Sequence, residues 1–219
     1  MDKVAGDAFR AGAEKLGLDL RTDVFTALEG WVDELLRWNA RVNLTAITAP
    51  LEVVEKHLLD SLAVLPEVAN ATSLLDLGAG AGLPGIPLAV ASSGLSVTMA
   101  DAVNKKVAFI KHSVAKLGLA KRVRGVHVRA AGSPMTEGLA MAEVVIARAL
   151  MDLDRWVPFA LPYLAQNGRL VAMLARLPAA EALDALGAKH GVAVASVRSF
   201  TLPASGDPRS VVVFRRSAT

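Results

Sequence analysis

Residues 74–90 read LLDLGAGAGLPGIPLAV, and this stretch decides the fold. Four glycines, Gly78, Gly80, Gly82 and Gly85, stand between two apolar runs. A β-rich run, a glycine turn and a helix are the opening unit of a doubly wound sheet. Glycine lets a backbone approach a ligand closely and adopt positive φ. Such a turn lies at the carboxyl end of a parallel sheet, where cofactors bind beside the switch in strand order. One G-x-G is compatible with a tight turn and no ligand; four glycines directly after a strand point to a ligand.

Working outward, short β-rich runs alternate with helical stretches. Strands are predicted at 73–78, 95–101, 122–129, 142–148, 168–175, 192–202 and 209–216. Helices are predicted at 87–92, 105–117, 152–164 and 179–190. The first strands are apolar on both faces, as in a parallel sheet covered by helices. Only PASGDP separates the last two, too little for a crossover helix, so they should form an antiparallel hairpin. Upstream the pattern is helical. Val24, Phe25, Leu28, Trp31, Val32, Leu35 and Leu36 share one face, with Thr22 as N-cap, and a shorter helix should run between Pro50 and Pro66. The expected division is a helical cap over 1–70, packed on an α/β domain over 71–219.

Composition narrows the classes. The chain has 219 residues, 53% of them apolar, which suits a globular protein and not a disordered one. It has no cysteine, which excludes disulfides, thiolate metal sites and cysteine nucleophiles. No metal site is expected. No apolar run approaches the ~20 residues of a membrane span, and the charged N-terminal stretch does not read as a signal peptide. A soluble, cytoplasmic, monomeric protein is expected.

Two cofactors compete for the glycine loop. Gly80, Gly82 and Gly85 fit the dinucleotide fingerprint G-x-G-x-x-G, and Asp101 stands where a ribose-binding acid belongs. That acid suits any adenosine cofactor. Asp76 should place a negative charge beside the loop, repelling pyrophosphate and attracting an amino group. Pro84 and Pro87 remove N–H donors that a phosphate would use at the helix start. A closing antiparallel strand is foreign to the usual dinucleotide-binding order. All three favour S-adenosyl-L-methionine, which carries adenosine and a sulfonium but no phosphate.

Five blocks, LLDLGAGAGLPGIPLAV, VNLTAI, KHLLDSL, DAVNKKVAFI and VIARAL, together resemble the RsmG/GidB family, bacterial methyltransferases of 16S ribosomal RNA acting on guanine N7. The resemblance spans about residues 31–150. It implies a class I, Rossmann-like methyltransferase with a seven-stranded, mostly parallel sheet, an antiparallel last strand and an N-terminal helical extension. It also implies cofactor contacts from Gly78, Leu83, Ala130, Ala131 and Arg148. The family commonly has an acid where this chain has Ala131. A backbone N–H contact to adenine there would survive the change.

The residues fit that chemistry. Pyrimidine C5 methylation usually needs a cysteine. Exocyclic amine methylation usually needs an Asn/Asp-Pro-Pro-aromatic tetrad, and ARALMDL fills that place. Guanine N7 has an in-plane lone pair and no proton to lose, so no general base is required. Arg148 is placed for the cofactor or for the base edge holding N7 and O6. His57 and Asp60, three apart, are candidates for a hydrogen-bonded pair or an RNA contact. Asn39, Asn43 and Thr45 should shape the turn after the second helix. Trp31 and Trp38 read as core. Between Asp101 and Glu137 there is no acid, while Lys105, Lys106, Lys121, Arg122, Arg124 and Arg129 lie in that interval. That reads as a footprint for a phosphate backbone. A small-molecule methyltransferase and a NAD-dependent oxidoreductase or nucleotide-binding module remain the alternatives.

Overall fold

A computed structural model describes residues 1–148 and 151–217. The N-terminal part holds α1 (Lys3–Lys15), α2 (Thr22–Val42), α3 (Pro50–Val53), a π-helical turn (Val54–Leu59), α4 (Asp60–Leu62) and α5 (Leu65–Val68). Then follow β1 (Ser73–Leu77), α6 (Gly85–Ala91), β2 (Ser96–Asp101), α7 (Asn104–Lys116) and β3 (Val123–His127). The chain continues through α8 (Pro134–Glu137), β4 (Ala142–Arg148), α9 (Leu153–Ala160), a 3-10 turn (Leu161–Tyr163) and β5 (Leu164–Leu174). It ends with α10 (Ala180–His190), β6 (Val192–Thr201) and β7 (Pro208–Arg216).

The seven strands form one sheet in the order β3-β2-β1-β4-β5-β7-β6. β1 pairs in parallel with both β2 and β4, so the strand order reverses there. β7 inserts antiparallel between β5 and β6, and β6 and β7 form the expected hairpin. Period-two alternation divides each buried strand between two cores. Leu74, Val144 and Ile146 face one core; Leu75, Val145 and Ala147 face the other. The first core is shared with Phe9, Leu28, Trp31 and Leu58 from the N-terminal helices and with Phe109 from α7. The second is closed by Trp156, Val157 and Leu183 from α9 and α10.

Local chemistry accounts for the helix ends. Asp2 caps α1 by accepting the Ala5 N–H at 2.8 Å. α2 ends at Asn43, in the left-handed region at φ 49°. Asn39 Oδ1 accepts the Leu44 and Thr45 N–H groups at 2.6 and 2.9 Å, and its amide donates to the Thr45 carbonyl at 2.9 Å. Trp31 is buried, and Trp38 packs at a tilt against Phe109 with the ring centroids 5.5 Å apart.

Some boundaries differ from expectation. Arg21, not Thr22, is the residue before α2, and its side chain makes no cap bond. The segment after Pro50 is interrupted by the π turn, and Pro66 lies inside α5 instead of ending the preceding helix. β5 begins at Leu164, pairing with Ala142, so the helix before it ends at Ala160. Ala149 and Leu150 of the VIARAL block lie outside the described residues. No helix of the described residues is long and apolar enough to cross a membrane.

Candidate active site

The glycine loop joins β1 to α6, and its N–H groups are almost all spent within the protein. Gly78 and Ala79 donate to the Ala100 carbonyl at 2.9 and 3.2 Å. Gly82 and Leu83 donate to the Ala79 carbonyl at 2.8 and 2.9 Å, and Ile86 donates to Gly82 at 2.7 Å. Gly80 donates to Asp101 Oδ2 and Gly85 to Asp76 Oδ2, each at 2.9 Å. A pyrophosphate needs such donors free at the helix start. This loop gives them to its own chain, and Pro84 and Pro87 have none to give.

Two glycines show why the bare backbone is needed. Gly80 has φ +58°, and a Cβ there would meet nothing within 4 Å, because that side opens into a cavity. At Gly85 a Cβ would lie 2.6 Å from Met99 Cγ and 3.0 Å from Asp76 Oδ2. The first glycine leaves room for a ligand; the second lets α6 sit against β2.

Three cavities follow the carboxyl ends of the strands. The first, about 240 Å³, is lined by Gly78, Asp101, Ala102, Ala130, Met151 and Phe159. The second, about 310 Å³, is lined by Thr45, His57, Gly80, Leu83, Lys106 and Arg148. Gly78 and Asp101 border both, so the acid stands at their junction. The third, about 330 Å³, includes Lys56, Asp60, Met173 and Arg209, and shares His57 and Arg148 with the second.

Electrostatics differ sharply among these groups. Asp76 is fully buried, and burial pushes its carboxyl up to about 8 against the pull of the Gly85 N–H. Its Oδ1 has no hydrogen-bond partner among the described residues. Asp101 is 7% exposed and takes the Gly80 N–H on Oδ2 and the Val103 N–H on Oδ1, the latter at 2.8 Å. Each oxygen keeps a lone pair for a further donor. Burial, and then Arg148, push His57 down to about 4, so its ring is neutral. Its Nδ1–H donates to the Lys56 carbonyl at 3.0 Å, leaving Nε2 to accept from the Thr45 hydroxyl at 2.9 Å. Arg148 donates to the same Lys56 carbonyl at 2.8 Å and faces Asp60 Oδ2 at 3.4 Å.

The family model GidB, described as rRNA small subunit methyltransferase G, matches residues 25–210. The chain belongs to the GidB family. It is 53% identical over 210 residues to the ribosomal RNA small subunit methyltransferase G of Myxococcus xanthus, with 96% of each chain covered. It is 51% identical over 216 residues to the protein of that name from Anaeromyxobacter dehalogenans, covering 99% of this chain and 100% of the relative. Its fold is similar to that of a SAM-dependent methyltransferase from Thiobacillus denitrificans solved with S-adenosyl-L-homocysteine. There the TM-score is 0.54 at 14% identity, covering 72% of this chain and 90% of that one. The GidB fold here is that of the class I S-adenosylmethionine-dependent methyltransferases.

Several residues of this GidB chain stand differently from the sequence reading. Asp76 offers no exposed charge to the loop; it is enclosed and anchors Gly85. His57 and Asp60 do not bond to each other, but both face Arg148. The Ala131 N–H, expected at the adenine edge, donates to Glu137 Oε1 at 2.8 Å. Glu137 also takes the Ser133 N–H at 3.0 Å and the Tyr163 hydroxyl at 2.5 Å, and so clamps the turn after β3. Arg122 is turned inward, donating to the Ala89 and Leu95 carbonyls at 2.6 and 2.7 Å. It shapes the loop before β3 instead of facing outward. Lys105, Lys121 and Arg124 are exposed, Lys106 lines the second cavity and Arg129 the first. Lys116 and His112, from the same acid-free interval, pair with Glu34 of α2, whose carboxyl they hold down to about 2. Among the described residues no cluster of His, Cys, Asp or Glu fits a metal ion.

Sequence reading missed Arg209, which faces Asp60 Oδ1 at 3.3 Å across 149 positions of chain. It also missed Glu55, which accepts the Ala204 and Ser205 N–H groups, each at 2.7 Å, and pins the β6–β7 turn beside the third cavity. A basic residue at a strand start and an acid within a helix carry no local signal of these roles.

Proposed function

We propose that this chain transfers the methyl group of S-adenosyl-L-methionine to N7 of a guanine in 16S, small-subunit ribosomal RNA. The observation that carries the reading is the glycine loop whose N–H groups are consumed by its own chain beside an open Gly80 and the Asp101 carboxylate. Such a loop fits an adenosine cofactor without phosphate. Membership of the GidB family and the names of the relatives supply the RNA.

The residues present fit the cofactor. Asp101 would hold the ribose hydroxyls at the junction of the first two cavities. The adenine would enter the first cavity between Ala102, Met151 and Phe159, and the amino-acid arm would lie along Gly80 in the second. Asp76 Oδ1, without a partner among the described residues, lies beneath that loop. When bound, the cofactor supplies an electrophilic methyl group on a sulfonium.

The protein's own contribution is alignment and electrostatics. N7 carries no proton, so none has to be removed, and His57 is neutral with both ring nitrogens engaged. Arg148, lining the second and third cavities, is the residue that orients the acceptor. Lys105, Lys106, Lys121, Arg124 and Arg129 give the RNA a basic approach. A small-molecule methyltransferase would not need that approach.

The test is incubation of the purified protein with labelled cofactor and small-subunit ribosomal RNA, free or in particles, with nucleoside mass spectrometry. One N7-methylated guanine is the expected product. A methyl group on carbon, ribose oxygen or an exocyclic amine would refute the acceptor, and tight NADH binding with no response to S-adenosylmethionine would refute the reaction.

A further inference from the structure

The third cavity has chemistry that methyl transfer alone does not use. Its wall carries Asp60, only 6% exposed, between two guanidinium groups. Arg148 Nη1 lies 3.4 Å from Oδ2 and Arg209 Nε 3.3 Å from Oδ1. Charge-assisted hydrogen bonds close to about 2.7–2.9 Å, so neither arginine saturates the carboxylate. Burial holds its carboxyl above the usual carboxylate range, outweighing the opposite pull of Arg148 and then of Arg209. Desolvating a carboxylate for two long contacts is a poor source of stability. The group is held, with acceptor capacity left over, against a cavity of small-molecule size.

We infer that the third cavity receives the target guanine, and that Asp60 and Arg148 together read its O6 and N1–H. This rests on the guanine-N7 reading above. Guanine presents an acceptor, O6, next to a donor, N1–H. A guanidinium beside a carboxylate presents the complement, donor beside acceptor. Adenine presents an amine next to a bare ring nitrogen, which would set donor against donor and lone pair against carboxylate. N7 lies on the other side of O6 from N1. With O6 on Arg148 and N1–H on Asp60, N7 therefore points from the third cavity toward the second, where the glycine loop lies. Arg148, common to both cavities, sets that orientation. Arg209, placed by the hairpin turn that Glu55 pins, fixes the other Asp60 oxygen. Asp60 is thus a specificity-determining residue that makes no contact with the methyl donor.

The test uses the whole protein and small-subunit particles reconstituted on ligated ribosomal RNA. The methylated position carries guanosine, inosine, 2-aminopurine or N1-methylguanosine, all of which retain N7. Inosine keeps O6 and N1–H and should be methylated within about 10-fold of guanosine. 2-Aminopurine lacks O6 and N1–H, and N1-methylguanosine blocks N1; each should lose about 100-fold or more in kcat/KM. In Asp60→Asn, guanosine should fall about 10- to 100-fold and the preference over 2-aminopurine should narrow, because the amide can donate to a bare N1. Cofactor affinity by calorimetry should be unchanged. N1-methylguanosine methylated as fast as guanosine by the wild type would overturn the inference even if Asp60→Asn did not fold. So would a folded Asp60→Asn with the wild-type preference. A wild type that methylates guanosine at an atom other than N7 would overturn the reaction assignment itself.

Discussion

Asp101 does two things with one carboxylate. Its oxygens tie the loop at Gly80 and the turn at Val103, and its remaining lone pairs face the junction of two cavities. Charge-assisted contacts to two ribose hydroxyls contribute roughly 1.5–3 kcal/mol each. Asp101→Ala should weaken S-adenosylmethionine by about 10-fold or more by calorimetry. It should also lower Tm, because two backbone donors lose their acceptor; an unchanged affinity in the folded variant would show that another acid binds the ribose. The loop glycines separate packing from binding in the same way. Gly85→Ala drives a methyl into Met99 and Asp76, and overpacking of this kind costs about 1–3 kcal/mol of stability in a denaturant titration. Gly80→Ala meets no atom, so beyond the ~1–2 kcal/mol cost of its left-handed backbone its effect should be on cofactor affinity. Both glycines were legible in the sequence as one motif. Which of them borders the open cavity was not, because that depends on where Met99 packs.

The π turn is the element that gathers the polar wall of the third cavity. Its wider winding lets the Asp60 N–H reach the Glu55 carbonyl and sets His57 and Asp60 about one arginine, Arg148. Buried and neutral, His57 gives a pH signature. The unfolded ring titrates near 6.5 and the folded ring near 4, so between these values the unfolded chain binds more protons. Stability present above pH 6.5 should therefore be lost as pH falls toward 4, by on the order of 3 kcal/mol. Asp76, with its pKa pushed up to about 8, acts in the opposite direction, losing stability as pH rises through the same region. Denaturant titrations of wild type and His57→Gln, compared at pH 7 and pH 4.5, isolate the histidine; equal losses in both would refute its role. A helix between Pro50 and Pro66 was readable from its flanking prolines, but those prolines carry no sign of the wider turn between them.

Over the whole molecule the question is what the positive residues do together. Read along the chain, the acid-free interval is one basic run. In the fold it divides: Lys116 and His112 turn to Glu34, Arg122 folds inward, and Lys106 and Arg129 enter the cavities. RNA affinity should fall steeply with salt while cofactor affinity does not. Replacing Lys105 and Lys106 together with Ala should shallow the salt slope by a little under one unit per contact on duplex RNA, and should also slow turnover, since Lys106 lines the second cavity. Replacing Lys121 and Arg124 should change the slope alone. Arg122→Ala should instead lower Tm, by breaking its bonds to Ala89 and Leu95. A salt slope unmoved by the four lysine and arginine substitutions would return these residues to an ordinary solvated surface.

The sequence by itself determined the sheet and its cofactor loop. Apolar runs of strand length, glycines directly after the first, and a last hairpin too short for a crossover are local features, and local sterics and burial decide them. The family blocks added the reaction. Only the tertiary structure decided which charges are free. Asp76 looked like an exposed acid until β1 was flanked on both sides by β2 and β4. Arg209 met Asp60 only once β7 had inserted beside β5. The charge and hydrogen-bonding state of a side chain depends on what surrounds it in space, and those neighbours come from other segments of the chain, 70 residues away for Ile146 beside Asp76 and 149 for Arg209 beside Asp60.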